Sequence, residues 1–555
     1  MSEQGTFNLI DEPWILVQLV DGQTNEVSLR ELFTRWESIA EIVGDIPTQA
    51  FAIYRLALAV MYRGAVRAGT SIAQVEDWEE YWDDPESFST VIDEYLTSWH
   101  KRFDLRDQTE PFFQVAGLHS SKNEIASLER IVLDSPLGGH FANRTASGLA
   151  QISWGEAARW LIHAHAYDTS GIKTGAVGDP RVKGGKGYGI GTGWCGQIGG
   201  ILVKGETLFQ TLMLNLIPLD LDNSPLGPVR INEDLPTWER PALGAAVRDG
   251  NEYLEPTGPA DLYTWQSRRV RLVGDGAGAT GVVLAQGDRM TPQNRQRLEP
   301  MTVWRYSEPQ SKKYKAHVYM PRSHESTRSF WRGLGAVIPQ ISKAVSRDSY
   351  DKKSKVQAFL PAAVVTWHSL LVNRAIIDPT SLIPIEVFGI EYGAQSAVVD
   401  NALYDSLVLP ASLFSDEAEN GRANLVRALS CAEDTAGVLR SFARNLAVAS
   451  GASGGDGEAK KVETAFFFGA EQLFRHWIVQ PSQSTPSSLV SWQLQLRSLA
   501  SQLSTQLVSA VPANAAVGHQ GYGGSWMDLG KAEARARSAL RKALPDAFTS
   551  PADNK

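Results

Sequence analysis

Cysteine is nearly absent: Cys195 and Cys431 are the only two in 555 residues. Two thiols so far apart build no disulfide scaffold, and neither sits in the paired Cys or Cys/His spacing of a thiolate zinc site. A reducing, cytoplasmic setting is the expectation. Long uncharged hydrophobic runs are missing as well. The most apolar stretch, "AFAIYRLALAVMYRGAVRAG", carries Arg55 and Arg63, whereas a membrane span needs about 20 largely uncharged residues. It reads as a buried core helix, and no membrane partner is expected. No basic stretch followed by an apolar one opens the chain, so no secretory signal is visible. Positive charge is not in excess either. The net charge is −9, whereas stand-alone nucleic-acid binders are usually basic overall, because phosphate neutralisation supplies most of their affinity.

What charge there is lies unevenly. Residues 1–110 hold 21 Asp/Glu against 8 Lys/Arg, and "EDWEEYWDDPE" (76–86) alone has seven acids in eleven residues. Residues 262–335 reverse this, with 13 Lys/Arg against 5 Asp/Glu, and residues 171–205 hold 5 Lys/Arg and one Asp. The pattern reads either as ordinary surface heterogeneity or as a local phosphate-facing patch in an otherwise acidic body.

Hydrophobic residues at 43% and charged residues at 21% describe a globular chain long enough for more than one domain. Two short β-like runs flank a "DG" turn near the start. Helices are expected at 46–66, 86–103, 153–168 and about 350–376, with Ser153 as an N-cap three residues before Glu156. Residues 262–320 read as β-rich, and 381–405 as two short strands turning at Gly393. After residue 405 four helical stretches follow. One of them carries Leu489, Trp492, Leu496, Leu499, Leu503 and Leu507 at three- and four-residue spacing. The fold class is therefore α+β: a large mixed α/β domain, 1–404, followed by an antiparallel four-helix bundle, 405–555.

Glycine is the informative excess. "KGGKGYGIGTGW" (183–194) has six glycines in twelve positions. Within 183–196, "GTGWCG" matches the dinucleotide pattern G-x-G-x-x-G, which would make the chain a nucleotide-cofactor-binding enzyme. No clean strand precedes that motif, and Lys186 is followed by Gly187 rather than the hydroxyl a P-loop requires. The other readings are a flexible surface loop, or a backbone that presses into a groove or onto a sugar-phosphate chain beside Lys183 and Lys186. "GASGG" around Ser453 lies in a helix-to-helix linker, the wrong setting for a nucleophile elbow. His163 and His165 are two apart on a helix and read as packing or surface groups. "GGHFANR" (138–144) offers an aromatic, an amide and an arginine to a base and a phosphate, or a Phe141 tucked into a core. No catalytic constellation emerges, so no enzyme activity, no cofactor and no metal are expected.

Together these pieces resemble the large-subunit family, CasA, of the type I-E CRISPR surveillance complex, Cascade. The resemblance runs through "FNLIDEPWILV", "FAN" (141–143), the glycines at 187–193, "TWQSRR" (264–269), "EYGAQSA" (391–397) and the C-terminal helices, nearly the whole chain. It implies a non-catalytic subunit that inspects duplex DNA for the protospacer-adjacent motif (PAM), promotes opening and R-loop formation, and recruits the helicase-nuclease. Implied partners are the other Cascade subunits, the crRNA 5′ handle, double-stranded target DNA and the CRISPR helicase-nuclease. Phe141, Ala142, Asn143 and Arg144 then correspond to the loop docking at the crRNA handle. Gly187, Gly189, Gly191 and Gly193, with Lys183 and Lys186, correspond to the loop entering the minor groove at the PAM. Gln395, preceded by Ala394, corresponds to the wedge that splits the first base pairs. The chain departs from the family in having no lysine at the groove-facing position; in "AQGDRM" Gln286 or Arg289 stands in its place.

Overall fold

The computed structural model describes residues 5–70, 72–134, 149–219, 226–227, 229–248, 254–452, 454–480, 485–521 and 524–548. The chain divides into two compact units. One comprises Met1–Phe330, Ser342–Leu370 and Pro384–Ser406; the other comprises Trp331–Ile341, Leu371–Ile383 and Leu407–Lys555.

The first unit mixes helices and small antiparallel sheets. Its opening sheet orders Thr24–Val27, Ile15–Leu19 and Ile39–Ile42, with Ile15–Leu19 central. The "DG" turn closes the first hairpin, Gly22 standing at φ 88°, where a side chain would be strained. The helix Pro47–Arg67 is buried from Thr48 to Ala65. It packs against Pro85–Ser98, Trp154–Tyr167 and Pro259–Tyr263. The two arginines that interrupt its apolar run meet carboxylates far along the chain. Arg55 forms a bidentate pair with Glu299 at 2.9 and 2.8 Å, and Arg63 does the same with Glu239 at 2.8 and 2.7 Å. Burial of a charge at this depth is tolerable only with such partners. Ser153 caps Trp154–Tyr167 through its side-chain oxygen, 3.1 Å from the Glu156 N–H.

Three features of this unit position the site. Arg268–Gly274 and Ala279–Gln286 form a two-stranded antiparallel ladder with Arg268 opposite Gln286. Leu382–Tyr392 and Val399–Pro410 form a long hairpin turning at Gly393. Ile385–Phe388 of that hairpin pairs with Gly200–Val203. The helix expected at 350–376 is shorter than its sequence pattern. Lys355–Gln357 pairs as a strand with Ser346–Asp348, Phe359–Leu360 is also a strand, and the helix runs only over Ala363–Asn373. Pro361 stands at the break, where it can neither donate to an interior helical bond nor avoid the preceding turn.

The second unit holds Glu419–Ala449, Asp456–Ile478, Pro486–Ser509 and Leu529–Ala543, the first packing on each of the other three. Its core is aromatic. Trp331 stacks on Phe474 at 4.5 Å and meets Trp492 edge-on. Arg332 bonds Glu433 at 2.9 and 3.0 Å and lies over the Phe467 ring. Residues 331–341 and 371–383 thus reach this unit from ahead of residue 405.

Candidate functional site

The glycine segment is a tight hairpin followed by a loop laid on its own chain. Lys173–Thr174 pairs with Lys186–Gly187, and Lys183 and Lys186 exchange backbone hydrogen bonds, both 3.1 Å. Between them Gly184 and Gly185 take φ of 58° and 74°. Two successive left-handed residues are what a two-residue turn of this hand requires. Lys183 and Lys186 are exposed on either side of the tip.

Further along, the chain's own backbone dictates glycine. A Cβ on Gly189 would stand 2.0 Å from the Ser170 carbonyl oxygen, and one on Gly193 would stand 2.4 Å from that of Ala166. Gly187 is buried against Gln286. Gly191, at φ 109°, has nothing within 4 Å of where a Cβ would be. Tyr188, which the sequence reading passed over, is 56% exposed between the glycines. "GTGWCG" leads into a single 3-10 turn, Trp194–Gln197, and then the strand Gly200–Val203. It presents no long helix N-terminus to a pyrophosphate, so the cofactor alternative loses its structural requirement.

Beneath the segment lies a buried ion cluster. The Arg268 side chain is fully buried, and its Nε donates to the Asp168 carboxylate. Its Nη2 donates to the carbonyls of Thr169 and Gly191, both at 2.8 Å. Lys173 Nζ donates to Asp168 at 2.9 Å. Burial pushes the Asp168 carboxyl up, but Arg268 and Lys173 outweigh it and hold the group below the usual carboxylate range. Burial lowers the Lys173 ammonium, with Asp168 restoring part of the loss. Trp194, at the far end of the segment, donates its indole N–H to Glu299 at 2.6 Å, which ties the loop to the Arg55–Glu299 pair.

Ala394 and Gln395 are exposed at the tip of the long hairpin. Gln395 and Ser396 stand at φ 56° and 54°, a region that non-glycine residues occupy only when their surroundings hold them there. The Ser170 N–H donates to the Ser396 carbonyl at 2.8 Å, and the Tyr392 hydroxyl donates to the Tyr167 carbonyl at 2.5 Å. Ser170 therefore touches both the hairpin tip and, through its carbonyl, Gly189. Ser170 thus places Gly189 next to the tip that carries Ala394 and Gln395, while Lys183 and Lys186 stand on the hairpin just before Gly189.

Gln286 does not face outward, contrary to the groove-facing expectation. It is buried and donates from Nε2 to the carbonyls of Gly171 at 3.1 Å and Gly187 at 3.4 Å. A side chain opposite Arg268 on the inner face of the ladder has its own loop as the nearest acceptor. Arg289 is half-buried and lines a narrow cleft with Ile190 and Thr192. Phe141, Ala142, Asn143, Arg144 and Ser453 lie outside the described residues. His163 and His165 are buried, bonded to the Thr48 hydroxyl at 3.0 Å and the Phe113 carbonyl at 2.9 Å. Among the described residues no group of three His, Cys, Asp or Glu could hold a metal ion, and no helix is long and apolar enough to cross a membrane. Asp168 and Ser170 escaped the sequence reading because they act on groups 19 to 226 positions away, and Lys173 because its pairing with Asp168, five positions off, matters only once both are buried beside Arg268.

Residues 8–503 match the family described as CRISPR-associated protein Cse1. The solved structure of Thermobifida fusca Cse1 is 38% identical, with a TM-score of 0.87, covering 99% of this chain and 100% of that one. The CRISPR-associated protein CasA/Cse1 of Thermus thermophilus is 28% identical over 452 residues, 80% of this chain and 78% of that protein. A likeness of fold extends to a chain of a CRISPR RNA-guided surveillance complex, 15% identical, with a TM-score of 0.63, covering 98% of this chain and 100% of that one.

Proposed function

The chain belongs to the CRISPR-associated Cse1 family, and from that premise we propose that it is the non-catalytic large subunit of a type I-E Cascade acting in the cytoplasm. In this reading it inspects double-stranded DNA for the PAM from the minor groove, helps open the duplex, and recruits the helicase-nuclease. Its partners are the other Cascade subunits and the crRNA 5′ handle, met by Phe141, Ala142, Asn143 and Arg144. Residues 1–404 carry the reading loops, and the four-helix bundle of 405–555 follows them.

One juxtaposition supports this reading above the others. Ser170 joins Gly189, just past the thin glycine hairpin that Lys183 and Lys186 flank, to the tip that carries the exposed, left-handed Gln395. The minor groove is about 6 Å wide, so a loop that enters it must be nearly free of side chains. Gly184, Gly185 and Gly191 are the glycines whose open side could meet a groove; Gly187, Gly189 and Gly193 keep the loop thin by lying against the chain. Lys183 and Lys186 meet the phosphates, and Arg289 rather than Gln286 is the groove-side cation. Minor-groove edges distinguish little beyond A·T from G·C, so PAM reading is tolerant. Gln395, backed by Ala394, offers its amide to bases whose stacking costs a few kcal/mol per step to break.

The deciding experiment is electrophoretic binding of PAM-bearing and PAM-scrambled duplexes by Cascade assembled with and without this chain. PAM-dependent retention is expected only when the chain is present. Equal retention of both duplexes would remove the PAM-reading assignment.

A further inference from the structure

Arg268 and Gln286 face each other across the antiparallel ladder, and the Nη2 of one and the Nε2 of the other both donate to backbone carbonyls outside the ladder. Arg268 Nη2 holds the carbonyls of Thr169 and Gly191. Gln286 Nε2 holds those of Gly171 and Gly187. One cross-strand pair thus grips the connecting loop at 169 and 171 and the glycine segment at 187 and 191. From the middle of that loop, Ser170 reaches the hairpin tip through the Ser396 carbonyl at 2.8 Å.

The arrangement has a cost. Gln286 Oε1 is buried with no hydrogen-bond partner among the described residues, and a buried acceptor left unpaired is unfavourable. A leucine would fill the same space without that penalty. A glutamine is warranted there by its two N–H bonds to the loops.

We propose that Arg268 and Gln286 are positioning residues, a clamp that holds the glycine segment and the Gln395 hairpin tip in one register, so that seating the first on DNA aims the second. The consequence for DNA rests on the reading of these two loops as DNA contacts; the clamp itself does not.

The test uses the full chain with nitroxide labels at Lys186→Cys and Ala394→Cys. Both native thiols are buried, and burial raises each to about 11, so labelling is directed to the introduced sites. Gln286→Leu is expected to broaden the label-to-label distance distribution in DNA-free protein while melting stays cooperative. Gln286→Met serves where the leucine variant does not fold. In assembled Cascade the same variant slows R-loop formation on linear duplex by on the order of tenfold. Adding Gln395→Ala to it then costs less than Gln395→Ala costs alone, because the wedge is already misaimed. An unchanged distance distribution overturns the clamp. A broadened distribution with unaltered R-loop formation keeps the clamp and removes the DNA-contact reading. Fully additive defects show two independent loops and overturn the coupling.

Discussion

Gln395 pays for its position: φ 56° puts a Cβ-bearing residue in the left-handed region, at about 1–2 kcal/mol. Relief of that strain and loss of the amide can be separated. Gln395→Gly is expected to raise the melting temperature slightly, and Gln395→Ala to leave it near or below the original. Both should slow R-loop formation on linear duplex, less on negatively supercoiled DNA, where torsion assists opening, and hardly at all on a target already unpaired beside the PAM. Stopped-flow fluorescence from a base analogue in the first target pair would follow this. Equal defects on all three substrates would mean that Gln395 acts in binding rather than in opening. "EYGAQSA" made the position legible through the turn at Gly393. The left-handed backbone was not legible, because it depends on Ser170, which holds Ser396 from 226 positions away.

Among the elements, the glycine segment divides into residues that answer to the chain and residues that face outward. Gly189→Ala is expected to cost roughly 1–3 kcal/mol, since its methyl would stand 2.0 Å from a backbone oxygen; denaturant melts of the isolated chain would read this directly. Gly184→Asn should leave stability within a few tenths of a kcal/mol, because asparagine tolerates φ 58° and nothing lies within 4 Å. The same change should weaken binding of PAM duplex by assembled Cascade several-fold, measured by filter retention. Full binding by Gly184→Asn would take the tip out of the groove. Composition alone announced a close backbone approach but not what is approached. For Gly189 and Gly193 it is the chain itself, because Ser170 and Ala166 arrive there only in the folded molecule.

At the scale of the whole molecule, the basic excess of 262–335 is partly internal. Arg268 and Arg269 are fully buried on Asp168 and Asp288, so they add nothing to a phosphate-facing surface. Buried neutral groups also set an acid limit. Burial lowers His163 and His165 from 6.5 to about 3. Below pH 6.5 the unfolded chain takes up protons that the native histidines refuse. The stability they allow is complete above pH 6.5 and is lost as pH falls toward 3, by about 1.4 kcal/mol per pH unit for each histidine. Asp234 acts oppositely. Burial raises it to about 6, so the native state gains from its proton as pH falls from 6 toward 3.8, offsetting roughly one of the two. Urea midpoints at pH 7.5, 6.5 and 5.5 should fall once pH drops below 6.5; a flat profile would mean that these histidines are charged in the folded protein.

What repeats locally was already written in the linear chain. Apolar spacing marked the helix Pro47–Arg67 and the four C-terminal helices, Ser153 marked a helix start, and Gly22 and Gly393 marked turns. These follow from short-range sterics and periodicity, which a linear chain displays. It took the folded molecule to establish that Arg55 in an apolar helix finds Glu299, that Gln286 turns inward onto Gly187, and that Ser170 lies between the glycine segment and the Gln395 tip. Each of these is a buried polar group choosing a partner. In low-dielectric surroundings that choice is enforced by the cost of an unpaired donor or charge, and it is made among groups that packing, not sequence distance, brings within hydrogen-bond reach.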